Sequence, residues 1–138
     1  LTGQPSKGLI KNSSMQIPFL SAHVQAFINA FRGIVKGIQR ERSLRTHSLV
    51  TLAVIAAGWW FHITSMEWTM AILAIGLIWA TELINSAIEA FADHLHPEQH
   101  LEIGATKDMA AGGVLMASLA AAAIGLIIFL PYLCDCLG

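Results

Sequence analysis

Charge is what this sequence has least of. Only 12% of its 138 residues are Asp, Glu, Lys or Arg, and 55% are hydrophobic. A soluble domain carries about 25% charged residues and about 45–50% apolar ones. The mean hydropathy of +0.61 points the same way. The shortage argues against a small soluble enzyme, and the apolar excess excludes disorder for most of the chain. A net charge of −1 provides no general attraction for nucleic acid. Cysteine is scarce as well. Cys134 and Cys136 are too few for a zinc site within one chain, and we read them as ordinary thiols rather than a disulfide. No Walker motif and no kinase glycine-rich loop occurs, so any nucleotide site must be built differently. No apolar stretch follows Lys7 or Lys11 to make a signal peptide.

The apolar residues fall into an ordered series. Residues 1–18 are polar and read as a flexible tail, and 19–138 as a single membrane domain. From 19 to 42, Phe27, Phe31, Ile34, Val35 and Ile38 recur at three- and four-residue steps. Arg32, Lys36, Gln39 and Arg40 lie between them. This predicts an amphipathic helix lying on a membrane surface. Three apolar blocks follow, giving expected spans at about 45–63, 68–91 and 107–131. The first needs Arg45–Ser48 to reach the ~20 residues of a full crossing. The third closes at Pro131. Trp59, Trp60, Trp68 and Tyr132 gather at one end of the blocks, as aromatics do at a membrane interface. The fold class expected is therefore all-α and integral to the membrane.

Lysine and arginine set the orientation. Seven of the eight precede the first span, and the eighth, Lys107, lies between the second and third. Cytoplasmic loops carry the excess of these residues. The N-terminus and the loop around 93–107 are expected inside, with Thr64–Glu67 and the C-terminus outside.

The second block carries the chemistry. Glu82, Asn85, Glu89 and Asp93 are spaced three, four and four apart, on one stripe of a helix, with Ser86 beside it. A carboxylate near the bilayer centre costs at least ~2.5 kcal/mol, so it should face a functional interior. Glu82 and Glu89 would stand ~10 Å apart along the axis, a separation suited to two different tasks. Each has a plainer reading. Asp93 could be solvated, Asn85 could bond between helices, and Glu89 could pair with Arg42 or Arg45. Glu82 lies deepest and has no basic residue nearby in sequence. Glu41 and Arg45, four apart, could be a helix salt bridge. Lys107 at a helix start is placed for phosphate. Carboxylates to hold Mg²⁺, a lysine for phosphate charge and a further carboxylate as base together meet the needs of phosphoryl transfer. His94, His96 and His100 read as surface histidines rather than a metal site. The small residues Ala110, Ala111, Gly112, Gly113, Ala117 and Ala120–Ala123 signal close helix packing.

The run Glu82-Leu83-Ile84-Asn85-Ser86-Ala87-Ile88-Glu89-Ala90, then Asp93, then Lys107-Asp108-Met109-Ala110, closely resembles the signature of the prokaryotic diacylglycerol kinase family, which includes undecaprenol kinases. The resemblance spans about residues 26–131. It implies a homotrimer of three-span subunits, each with a surface helix, in the bacterial cytoplasmic membrane. Active sites would form between neighbouring protomers at the cytoplasmic face, with MgATP as donor and a lipid alcohol as acceptor. By position, Glu82 resembles the catalytic base, and Glu41 and Glu89 the Mg²⁺ ligands. Asn29, Asn85, Asp93, Glu98, His100, Lys107 and Asp108 resemble the nucleotide and phosphate group. Arg45 and Ser86 join Glu82 as the residues expected at the lipid. Ala30-Phe31-Arg32-Gly33-Ile34 and Glu41-Arg42-Ser43-Leu44-Arg45-Thr46-His47 look more like the undecaprenol branch. The other branch has an acidic residue at the place of His47 and aromatics in the surface helix. Two other classes compete with a kinase: a small proton or ion conductor using Glu82 and Glu89, and a non-catalytic membrane scaffold. The conductor leaves Lys107-Asp108 unexplained.

Overall fold

The computed structural model describes residues 19–95 and 101–137, and these are helical almost throughout. Four helices follow in order: α1 (Phe19–Arg40), α2 (Arg42–Trp60), α3 (Ser65–Leu95) and α4 (Leu101–Leu137). The chain divides into two compact units, 1–33 and 34–138. In the first, the described side chains of α1 are all exposed. The second holds the end of α1 and the other three helices.

Within the second unit α3 is the central element. It packs along α4 over much of its length and against α2 over a shorter stretch. Few side chains make this core. Ile63, Ala71 and Ile128 are buried together, with Val54, Phe61, Trp68, Ile124, Phe129 and Tyr132 packed around them. Ala74 and Ala117 are also buried. Alanines at these seams let the helix backbones approach closely. The larger residues point outward: Leu52, Leu73, Leu119, Leu126 and Ile127 are all exposed. Contiguous exposed apolar surface on this scale requires lipid or another protein to cover it.

Helix lengths agree with a bilayer. α3 and α4, with 31 and 37 residues, are long and apolar enough to cross a membrane. At ~1.5 Å per residue they extend roughly 46 and 55 Å, beyond a hydrocarbon layer of ~30 Å. α2 has 19 residues, and Arg42, Arg45 and His47 occupy its first two turns, so its apolar part is short. α4 does not close at Pro131 but continues through it to Leu137. The proline lacks one backbone donor, yet the turn beyond it still keeps its helical path. Cys134 and Cys136 are exposed free thiols on that last stretch. Residues two apart on a helix point ~200° away from each other, so these two do not face one another within the chain.

The connection between α2 and α3 is built with care. Phe61 ends α2, and His62 takes a left-handed φ of 52° to turn the chain. Thr64 then caps α3. The Glu67 carboxylate accepts from the Thr64 backbone N–H at 2.7 Å and from its hydroxyl at 2.8 Å, while Glu67 N–H donates to Thr64 Oγ1 at 3.4 Å. This is a reciprocal capping box. Tyr132 reaches across from α4 and donates to the same Glu67 carboxylate at 2.9 Å. Three of the four aromatics expected together make ring contacts here, and Trp60 is exposed. Trp59 and Trp68 pack edge to face at 6.3 Å, and Phe61 stacks on Tyr132 at 5.7 Å.

Gly58 sits where this end closes most tightly. A Cβ there would lie 2.7 Å from the Trp68 ring. Overpacking of this kind costs about 1–3 kcal/mol. At Gly104 an added Cβ meets nothing within 4 Å. Gly58→Ala is therefore expected to lower the thermal unfolding midpoint by several degrees in detergent micelles, whereas Gly104→Ala leaves it unchanged or raises it.

Candidate active site

The break between α1 and α2 sets the site. Glu41 stands between the two helices in an extended conformation, φ −96° and ψ 125°. Its N–H still bonds the Gly37 carbonyl at 2.8 Å, and its own carbonyl accepts from Arg45 N–H at 3.3 Å. The pair Glu41 and Arg45 is thus not a salt bridge on a continuous helix. Glu41 is the residue at the elbow, and among the described residues the two side chains form no ion pair. Gly37 lies against Leu44 and Leu83. A Cβ there would be 2.8 Å from Leu44 Cδ1 and 3.2 Å from Leu83 Cδ2. Leu44 is wholly buried. This packing fixes the first turn of α2 beside the middle of α3.

That placement brings Ser43 to Glu82. The Ser43 hydroxyl donates to the Glu82 carboxylate across the helix pair. Glu82 is only 4% exposed. A carboxylate so buried would carry a large desolvation cost without a donor, and Ser43 supplies one from outside its own helix. Nothing in the spacing of the acidic residues singles out Ser43. Its signal is indirect: a hydroxyl in the short polar run just after the chain break at Glu41.

One turn on, Asn85 is 8% exposed and donates its amide to Glu89 at 3.0 Å. Its other polar atom, Oδ1, is buried with no hydrogen-bond partner. Glu89 is half-buried and does not pair with Arg42 or Arg45. A further turn along, Asp93 accepts from Lys107 Nζ at 2.8 Å. This ion pair ties the end of α3 to the second turn of α4, and both partners reach solvent; α4 begins at Leu101, so Lys107 is not at the helix start expected of it. The predicted stripe therefore forms as one line: Glu82 buried with Ser43, Asn85 with Glu89, and Asp93 with Lys107. Ser86 is half-buried on the same helix, and Arg45 and Asp108 are exposed. Asn29 belongs to the first unit, where it is exposed and accepts from Gln25 at 3.0 Å. His96, Glu98 and His100 lie outside the described residues.

The oxygen donors suit a hard cation. Mg²⁺ is ordinarily held by one or two carboxylates together with substrate phosphates, rather than by an all-protein cage. No cluster of three or more His, Cys, Asp or Glu occurs among the described residues. The half-buried Glu89 carboxylate and the unpartnered Asn85 Oδ1 lie one turn apart on the same stripe. This donor set fits Mg²⁺ bound jointly with phosphate oxygens.

Comparison with known proteins gives this arrangement its context. Residues 28–129 match the family model described as prokaryotic diacylglycerol kinase. The chain is 35% identical over 114 residues to an undecaprenol kinase of Bacillus subtilis, covering 83% of this chain and 93% of that protein. It is 31% identical over 126 residues to a diacylglycerol kinase of Synechocystis, covering 91% and 70%. A diacylglycerol kinase of Escherichia coli is 27% identical over 92 residues, covering 67% and 75%. The stripe from Glu82 to Lys107 falls wholly inside the matched region, and the chain belongs to the prokaryotic diacylglycerol kinase family of membrane lipid kinases.

Proposed function

We propose that this protein transfers the γ-phosphoryl group of ATP to the hydroxyl of a membrane lipid alcohol at the cytoplasmic face, with undecaprenol favoured over diacylglycerol. The observation that carries this reading is Glu82, a buried carboxylate hydrogen-bonded by Ser43 on an apolar helix of a lipid kinase. The 35% identity to an undecaprenol kinase supports the choice of lipid.

The proposed setting is a homotrimer of three-span subunits in the bacterial cytoplasmic membrane. α1 lies on the cytoplasmic surface and the C-terminus is outside. If the hydrocarbon layer begins near Trp68, Glu82 is ~21 Å along α3 and Glu89 ~31 Å. For a layer ~30 Å thick, Glu82 is within it, Glu89 at its edge and Asp93 beyond. That order matches the substrates. The acceptor hydroxyl arrives from the lipid side and the phosphates arrive from water.

In this mechanism Glu82 accepts the proton of the lipid hydroxyl as the hydroxyl oxygen bonds to the γ-phosphorus and the bond from that phosphorus to the β–γ bridging oxygen breaks, releasing ADP. Ser43 orients the Glu82 carboxylate so that one oxygen stays free for the acceptor. Glu41 and Glu89 would hold Mg²⁺, which when bound would offset phosphate charge. Lys107 would leave or share Asp93 to neutralise the transferring phosphoryl group, with Asn85 and Asp108 positioning the nucleotide. From the family resemblance alone, Asn29, Glu98 and His100 are further proposed for the nucleotide, and Arg45 and Ser86 for the lipid.

Purified protein with radiolabelled ATP and either undecaprenol or dioleoylglycerol tests the reading. Labelled lipid phosphate is expected, more from undecaprenol; no labelled lipid from either acceptor would refute it. Glu82→Gln should abolish transfer while leaving the assembly's size unchanged on gel filtration. Ser43→Ala removes the donor but keeps the base. Leaving a buried group without its partner costs about 1–3 kcal/mol. A fall in kcat of roughly 10- to 100-fold is expected, with KM for ATP little changed. Wild-type kcat in Ser43→Ala would exclude the orienting role.

A further inference from the structure

Two features at the end of α4 have no part in the proposed reaction: the C-x-C of Cys134 and Cys136, and the bond from Tyr132 to Glu67. All three α4 residues lie beyond the stretch that matches the family, 28–129. Both cysteines are exposed free thiols. Two apart on a helix, they point ~200° away from each other. A disulfide needs Cβ atoms about 3.5–4.5 Å apart, and cysteines whose Cβ vectors diverge cannot be bridged unless the backbone moves. The helix itself keeps these thiols apart. Whatever holds residues 132–137 helical therefore decides whether they can join.

That stretch is weakly held by its own backbone. Pro131 has no N–H to give to the preceding turn, so one bond to the body of α4 is missing. Among residues 131–136 only Tyr132 is partly covered. Its ring stacks on Phe61 at 5.7 Å, and its phenol donates to Glu67 Oε2 at 2.9 Å. The acceptor is fixed in place for it. The same oxygen accepts from the Thr64 backbone N–H and the Thr64 hydroxyl at the start of α3. Hydrogen bonds to an ionised acceptor are roughly twice as strong as neutral ones. No Lys or Arg occurs between 46 and 106 or after 107, so none competes with the phenol for this carboxylate. The Thr64 N–H and hydroxyl, with the Tyr132 phenol, hold the Glu67 carboxyl below the usual carboxylate range. Glu67 in turn holds the Tyr132 phenol above its usual range.

We propose that the Tyr132–Glu67 bond is a latch on the C-x-C: while it is made, the end of α4 stays helical and the thiols stay apart, and when it is broken Cys134 and Cys136 close to a disulfide with a small-molecule disulfide as oxidant. In the first step one cysteine loses its proton and its sulfur attacks the oxidant. The oxidant's S–S bond breaks and half of it leaves as a thiol. In the second step the other cysteine loses its proton, attacks the mixed disulfide and displaces the remaining half as a second thiol. Two electrons and two protons pass from the cysteines to the oxidant. With the latch made, the second step is blocked and the mixed disulfide persists. The device does not depend on the lipid-kinase reading. A C-terminus on the outside, as proposed above, meets oxidants of this class.

Cys134 and Cys136 are the only cysteines of the chain, so the products can be read by mass. The full-length protein in detergent micelles is incubated with oxidised glutathione and weighed by mass spectrometry under non-reducing conditions. Wild type should carry glutathione on its cysteines, with little internal disulfide. Tyr132→Phe keeps the ring for Phe61 and removes only the hydroxyl. Its ratio of internal disulfide to glutathione adduct should exceed that of wild type roughly tenfold or more, the scale of one hydrogen bond to a charged group. Glu67→Gln removes the charge and should move the ratio in the same direction. Amide hydrogen exchange of the untreated proteins reads the helix without thiol chemistry. Exchange at 133–137 should be faster in Tyr132→Phe than in wild type, while that at 115–125 stays the same. An equal product ratio in wild type and Tyr132→Phe overturns the proposal, and so does equal exchange at 133–137. Disulfides that link two chains in place of the internal one overturn it as well.

Discussion

The buried contact between Ser43 and Glu82 is the constraint around which the rest of the second unit is arranged. A carboxylate in apolar surroundings needs a donor, and the amide one turn on along its own stripe, Asn85, gives its N–H to Glu89. The donor must come from another helix, and it must be held there. The break at Glu41 turns the chain, Gly37 lets α1 close on Leu44 and Leu83, and wholly buried Leu44 pins the first turn of α2. Each of these features has little purpose alone. Together they deliver one hydroxyl to one carboxylate.

The opposite end of the same helices answers a different need. There the polar groups satisfy the helix start rather than a reaction. Thr64 and Glu67 cap α3, and Tyr132 fastens α4 to the cap. Aromatic packing then seals the turn. With α3 held to α4 by the Lys107–Asp93 pair at one end and by Tyr132–Glu67 at the other, the carboxylate stripe between them lies on a clamped rod. Preorganised donors and acceptors are effective because they need not reorganise during the reaction.

Much of this was readable in the sequence, for a physical reason. The stripe of Glu82, Asn85, Glu89 and Asp93 is a property of one helix, and helical spacing alone puts its members on one face. The aromatic end was legible because interface chemistry selects Trp and Tyr. What spacing could not give is contact between helices. Ser43 looks like any other serine until α2 is laid on α3. Glu41 and Arg45 looked like a helix pair because their spacing is helical, but the chain leaves the helix at Glu41. Pro131 looked like an end, yet α4 runs through it, since the turns on either side supply enough bonds to carry one missing donor. The pairing of Asp93 with Lys107 depends on how α4 returns along α3, which no local pattern encodes.

The scarcity of charge acquires a different meaning from this arrangement. Most Lys, Arg, Asp and Glu residues lie in 32–45, 82–93 and 98–108. In a soluble protein such clusters would be solvated patches among many others. Here large apolar side chains are exposed along α2, α3 and α4. Charge placed there would oppose insertion into a bilayer, and the few charges retained are concentrated in those three short stretches. Glu82 is the exception, and the residue to which we assign the chemistry. It is the one acidic residue on α3 set back into the apolar part and fully covered, and it is kept there by a neutral hydroxyl rather than a cation. Ser43 gives it one neutral donor, which on the proposed reading leaves its other oxygen for the lipid hydroxyl.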